Sequence, residues 1–168
     1  MITTFKNDIK SSYKTAYQTF EKALTEVEKH PDIAVGLVNS ALESIIKEIC
    51  RDERLDLHVK EGDTLYTLCQ HVLKALGIFP TNDIPTEIRS IGSGLLRVAS
   101  EIEKVRSSKT KVHGKVDGDY IVDDPLLAQF VVNSVTTIGV FLINYYKTKF
   151  PPTMSFTNTL DSDDELPF

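Results

Sequence analysis

The run Pro31-Asp-Ile-Ala-Val-Gly-Leu-Val-Asn-Ser-Ala-Leu-Glu-Ser-Ile-Ile-Lys-Glu-Ile-Cys-Arg51 decides the fold class. Ala34, Leu37, Val38, Ala41, Leu42, Ile45, Ile46 and Ile49 recur at three- and four-residue spacing, the period of an α-helix. Their apolar face is wide, which makes this the central helix, with others packed around it. Pro31 suits a first helical turn, because its missing N–H would be unpaired there anyway, and Asp32 sits favourably against the helix dipole. The residue before a proline is pushed out of the α region, so His30-Pro31 also ends whatever precedes it.

Helical periods extend to both sides. Residues 5–29 carry Ile9, Tyr13, Ala16, Tyr17, Phe20, Leu24 and Val27 on one side, with Lys and Glu opposite, and predict one helix. Residues 52–63 are polar and end in Glu-Gly-Asp, a loop signal. Asp63 is expected to cap a helix over 64–76, with Gly77 as its stop. Thr81-Asn-Asp-Ile-Pro85 marks another break. A helix over 85–106 follows, striped by Ile88, Ile91, Leu95, Ala99, Ile102 and Val105. Gly92 and Gly94 weaken it by ~1 kcal/mol each relative to Ala, and suit a close helix crossing. Residues 107–122 read as a loop or short hairpin. Asp124-Pro125 starts a last helix over 124–149, with Leu127, Phe130, Val131, Ser134, Val135, Ile138, Phe141, Leu142 and Tyr145 on one side. Pro151-Pro152 ends it. No strand pattern or internal repeat stands out. The expectation is an all-α antiparallel bundle of four to five helices over residues 1–150, with a mobile acidic tail at 151–168.

Composition fits one well-filled core: 168 residues, 41% hydrophobic and 26% charged. There is no secretory pattern at the N-terminus and no window of eighteen uninterrupted apolar residues, so a cytoplasmic protein without a membrane partner is expected. Cys50 and Cys69 lie in apolar helical patterns and read as small buried hydrophobes. No Cys/His cluster supplies the four or so ligands zinc needs, so neither metal nor cofactor is expected.

One segment departs from the overall acidity. From Lys104 to Lys115 there are five Lys/Arg, one His and no acid, in a chain of net charge -5. Such an island suggests an anionic ligand, and a Debye length of ~8 Å lets it act nearly alone. Within it stand Arg106 and His113. A guanidinium forks onto phosphate with two parallel bonds, and an imidazole moves protons at neutral pH. Together they are parts enough for RNA cleavage by the ribose 2′-hydroxyl, without a metal. By themselves, spacing and charge fit a solvated basic loop better.

Particular pieces point further: Ala34-Val-Gly-Leu-Val-Asn-Ser-Ala-Leu-Glu43, Lys47, Leu65-Tyr-x-Leu, Leu73-x-x-Leu-Gly77, Ile91-x-x-Gly94-Leu, and Arg106 with His113-Gly114. Over about residues 32–146 the chain resembles the C-terminal domain of abortive infection proteins, a branch of the HEPN superfamily. Many members of that superfamily are metal-independent ribonucleases whose dimers build one composite site from two Arg–His motifs. The resemblance implies that Arg106 binds the phosphate and His113 serves as acid and base, leaving a 2′,3′-cyclic phosphate. It implies a homodimer acting in phage defence or as a toxin-like effector. Lys104, Ser107, Lys109, Lys111 and Lys115 are candidates to hold flanking RNA. Ser107 stands where the family commonly has Asn or a larger polar residue, and Thr110 and Lys111 where Gly and an acid often stand. Glu43 is a candidate to orient Arg106, although an i,i+4 pair with Lys47 is the simpler expectation.

The chain closes with Asp161-Ser-Asp-Asp164-Glu165-Leu166-Pro167-Phe168, which resembles the acidic tip of bacterial single-stranded-DNA-binding proteins. The resemblance implies docking of Asp163, Asp164, Glu165, Leu166, Pro167 and Phe168 onto partners that read such tips. Folding back onto the basic island is another possibility. A second function class is therefore a non-catalytic dimeric helical module that recruits replication and repair factors through this tail.

Overall fold

The computed structural model describes residues 1–111 and 119–151. Among these residues the chain is helical and contains no strand. The helices are α1 (Ile2–Ser12), α2 (Lys14–Glu26), α3 (Pro31–Cys50), α4 (Leu65–Ala75), α5 (Thr86–Lys109) and α6 (Pro125–Lys149), with a short 3₁₀ turn at Glu53–Leu55. As its composition predicts, α3 is central and lies against α2, α4, α5 and α6. Leu42, Ile45 and Ile46 on it are fully buried, each worth ~1.5–3 kcal/mol relative to exposure. One continuous apolar core runs from Phe5 on α1 to Ile143 on α6.

The expected helix over 5–29 is two helices. It breaks at Tyr13 (φ -131°, ψ 59°), just after Ser11-Ser12, a pair of residues of the kind found at kinks. The break is nearly free in hydrogen bonds, since Tyr13 N–H still donates to Ile9 O and Tyr17 N–H to Tyr13 O. It lets α1 turn onto α6 while α2 follows α3. Phe5 anchors that turn: its ring meets Phe20 edge-on at 4.8 Å and lies directly over Gly139.

Caps explain most other boundaries. Pro31 occupies the first turn of α3. Thr64, rather than Asp63, caps α4, its Oγ1 accepting from Thr67 N–H at 3.2 Å. Asp63 is taken up by the loop instead, where its Oδ2 accepts from Lys60 N–H at 2.8 Å. Gly77 terminates α4 at φ 73°, in the left-handed region that glycine adopts without strain. Asp124 caps α6 by accepting from Leu126 N–H at 2.8 Å.

Two apolar stripes are rotated from their expected positions. On α5, Gly92, Leu96, Ala99 and Ile102 face inward, while Ile88 and Ile91 are exposed, Ile91 at 63%. Gly92 permits this approach, because a Cβ there would stand 3.3 Å from Ile78 O. On α6, Ala128, Val132, Val135, Gly139 and Leu142 face inward, while Leu127 and Phe130 are exposed, Phe130 at 70%. In both helices the inner face is selected by small residues that allow close packing, more than by the largest apolar ones. α6 is also apolar and long enough to cross a bilayer, with mean hydropathy 1.9 over its best window, and half of that window is buried in the bundle.

Cys50 and Cys69 are free and buried. Burial pushes their thiols up, to about 11 and about 12, so neither is a nucleophile near neutral pH.

Candidate functional site

The basic island begins on a rigid helix. α5 continues to Lys109, one turn beyond the expected end at Arg106, which places Arg106 on regular backbone. Thr110 closes the helix, its buried Oγ1 donating to Arg106 O at 2.6 Å. Two links then tie the end of α5 into the fold. Lys111 N–H donates to Asp32 Oδ2 at 3.2 Å, and Val122 N–H donates to Lys109 O at 2.8 Å. The first brings in the start of α3, and the second the approach to α6.

Arg106 is half-buried. Its Nε is shut off from solvent and has no hydrogen-bond partner. A buried donor without an acceptor costs about 1–3 kcal/mol. No ion pair to the guanidinium is present among the described residues. Glu43, a candidate to orient Arg106, instead binds Lys47 Nζ through Oε1 at 2.7 Å, the simpler i,i+4 arrangement. Lys104 is held by Glu101 at 2.8 Å on the exposed face of α5. The hydroxyls of Ser107 and Ser108 donate back to Lys104 O, at 3.2 and 2.6 Å. Lys109 Nζ stands 5.6 Å over the ring of Tyr120, a cation–π distance. His113, Lys115 and the tail residues Asp163, Asp164, Glu165, Leu166, Pro167 and Phe168 lie outside the described residues.

A cleft of about 500 Å³ opens at this end of the molecule, lined by Lys29, His30, Pro31, Asp32, Lys111 and residues 119–123. Arg106 is not among the described residues that line it. The cleft is mixed in charge, with Asp32, Asp119 and Asp123 facing Lys29 and Lys111. Asp32 and His30 were legible in the sequence only as parts of a helix start. The structure gives both a second location, Asp32 as the link to α5 and His30 at the cleft. Only their distance along the chain from Lys111 hid this. Beside the cleft, Leu126 (78% exposed), Leu127 and Phe130 form an apolar patch on the first turns of α6.

A second polar cluster lies where α6 ends. Arg54 Nη2 pairs with Asp52 Oδ2 at 2.6 Å, and Tyr146 Oη donates to the same oxygen at 2.6 Å. Arg54 also donates to Pro151 O at 2.8 Å and Phe150 O at 3.2 Å. The Arg54 guanidinium, then the Tyr146 hydroxyl, hold the Asp52 carboxyl well below the usual carboxylate range. Every strong group here is satisfied internally, which marks a clasp for the end of α6. No group of three or more His, Cys, Asp or Glu among the described residues could hold a metal ion.

The family model described as Abi_C, HEPN-like domain, matches residues 14–146. The matched span runs from the start of α2 nearly to the end of α6 and includes both Arg106 and His113. No curated protein and no solved structure matches the chain.

Proposed function

The chain belongs to the Abi_C family of HEPN-like domains, and from that premise we propose that it is a metal-independent RNA endonuclease acting in abortive infection. The observation that carries this reading is Arg106 itself, a half-buried cation on a rigid helix, at the start of an arginine–histidine motif that the family match spans. In an otherwise acidic chain, a guanidinium kept partly out of water is a strong phosphate ligand.

The proposed chemistry is transesterification. The ribose 2′-oxygen attacks the adjacent phosphorus, and the bond to the 5′-oxygen breaks. The products are a 2′,3′-cyclic phosphate and a 5′-hydroxyl. His113 takes the 2′-hydroxyl proton or delivers one to the leaving oxygen, and Arg106 stabilises the charge that gathers on the phosphate. If one histidine performs one transfer, a second copy of the motif supplies the other, which favours a dimer. The exposed patch of Leu126, Leu127 and Phe130 supports such an assembly, because it lies at the same end of the bundle as Arg106.

The test is incubation of purified protein with mixed RNA under chelator, beside Arg106→Ala and His113→Ala. Cyclic-phosphate ends that vanish in both variants support the reading. Cleavage that survives both overturns it. Sedimentation of Phe130→Glu reports on the dimer; an unchanged dimer removes this patch from the interface.

A further inference from the structure

Asn39, on α3, is 1% exposed, and neither end of its carboxamide has a hydrogen-bond partner. Such burial of an amide is costly, and a leucine would fill the place without that cost. Its location bears on why a polar residue stands there. Seven residues after Asp32, two turns of about 3.6, Asn39 points within roughly 20° of the same direction. That direction leads to α5, since Asp32 holds Lys111. Further along the same line stands the buried Cys50, and α4, with its buried Cys69, also packs on α3. Asn39 therefore faces the seam between α4 and α5.

The heights agree as well. The start of α3 meets the end of α5, so the two helices run in opposite directions. Asn39 lies about 10 Å along α3 from Asp32, and Arg106 lies about one turn before α5 ends at Lys109, two residues short of Lys111. Glu103, one turn before Arg106, is at this height too, and its Oε2 accepts from Tyr66 N–H at 3.5 Å where α4 begins. Two unpartnered buried groups thus share one level of one seam, and they are complementary: Nε–H of Arg106 donates and Oδ1 of Asn39 accepts.

We propose that Asn39 is a positioning residue for Arg106, its carboxamide oxygen taking the Nε–H when a phosphate draws the guanidinium's two Nη groups outward. This rests on the ribonuclease reading for the identity of the anion. It pairs the orphaned donor with the orphaned acceptor only in the complex, and most strongly as charge gathers on the phosphate, so the gain is larger in the transition state than on binding.

The experiment compares full-length wild type with Asn39→Leu and Asn39→Asp. In RNA cleavage under chelator, Asn39→Leu is expected to lose about 10- to 100-fold in kcat with KM changed much less, although its melting temperature rises or holds. Asn39→Asp, which keeps the acceptor, recovers most of that loss. Equal kcat for a folded Asn39→Leu overturns the proposal. An independent readout covers the case in which wild type cuts no RNA, which would sink the nuclease reading alone. With inorganic phosphate as the probe, the Arg106 Nε–H signal, assigned by its loss in Arg106→Lys, should exchange about tenfold more slowly with solvent in wild type than in Asn39→Leu. Identical exchange in the two proteins would overturn the role of Asn39.

Discussion

Asp32 Oδ2 accepts a hydrogen bond from Lys111 N–H at 3.2 Å, joining residues 79 positions apart. The first turn of the central helix is thereby tied to the residue where the basic island leaves α5. Asp32 acts twice: its charge favours the N-terminus of α3, and its oxygen satisfies the N–H of Lys111, a backbone donor just beyond the end of α5. Asp32→Ala is expected to cost about 1 kcal/mol and to speed amide exchange at Lys111 relative to the middle of α5. Asp32→Asn keeps an acceptor and should lie between. Unaltered exchange at Lys111 in the alanine variant would show that the contact contributes nothing in solution.

Gly139 is where α1 closes onto α6. A Cβ on it would stand 2.4 Å from Phe5 Cε2, nearer than any side chain tolerates, and Phe5 is fully enclosed. Gly139→Ala should therefore destabilise by about 1–3 kcal/mol through overpacking, despite its better helix propensity. Combining it with Phe5→Leu should recover part of the loss, and the two changes should be non-additive in urea titrations. A stabilised Gly139→Ala would mean that α1 does not pack here.

The clasp around Asp52 predicts acid sensitivity. Arg54 and Tyr146 lower its carboxyl in the folded chain, so the folded state binds fewer protons than the unfolded one. The stabilisation is complete above the ordinary carboxylate value of about 4 and is lost as pH falls below it. Asp52→Asn should cost about 1 kcal/mol at pH 7, kept low by solvent at the open side of the cluster. The gap between variant and wild type should shrink between pH 4 and 2. A pH-independent gap in denaturant melts would assign the loss to shape instead of charge.

How far the sequence could be read follows from range. Helix starts and stops at Pro31, Gly77 and Asp124 depend on neighbours a few residues away, and they stand where spacing and cap chemistry put them. The Tyr13 break left only a weak local trace in Ser11-Ser12, and the packing that fixes it is remote: α1 reaches α6, where Phe5 lies against Gly139. The same holds for faces. An apolar helix such as α6 offers several stripes, and the winning one is set by where small residues allow contact. Of the site, Arg106 and its lysines were visible as charge and motif. Asn39 was not, because a polar residue within an apolar stripe carries no local signal of what it faces. Asp32 was seen as a helix start alone, since Lys111 is far along the chain.

The lysines of the island should differ in what they add to RNA binding. Lys104 is already engaged by Glu101 at 2.8 Å and must give up that pair to reach a phosphate. Lys109 lies over Tyr120, a contact that leaves its charge available to an anion, and Lys111 lines the cleft. Each direct contact to a single strand contributes roughly 0.7 to the slope of log affinity against log salt. Lys109→Ala and Lys111→Ala should each flatten the slope by about that amount and weaken binding alike across RNA sequences. Lys104→Ala should change it least. Binding would be measured with the cleavage-impaired Arg106→Ala protein as background, from low to physiological salt. Three equal slopes, all matching the unsubstituted background, would show that this surface does not follow the RNA backbone.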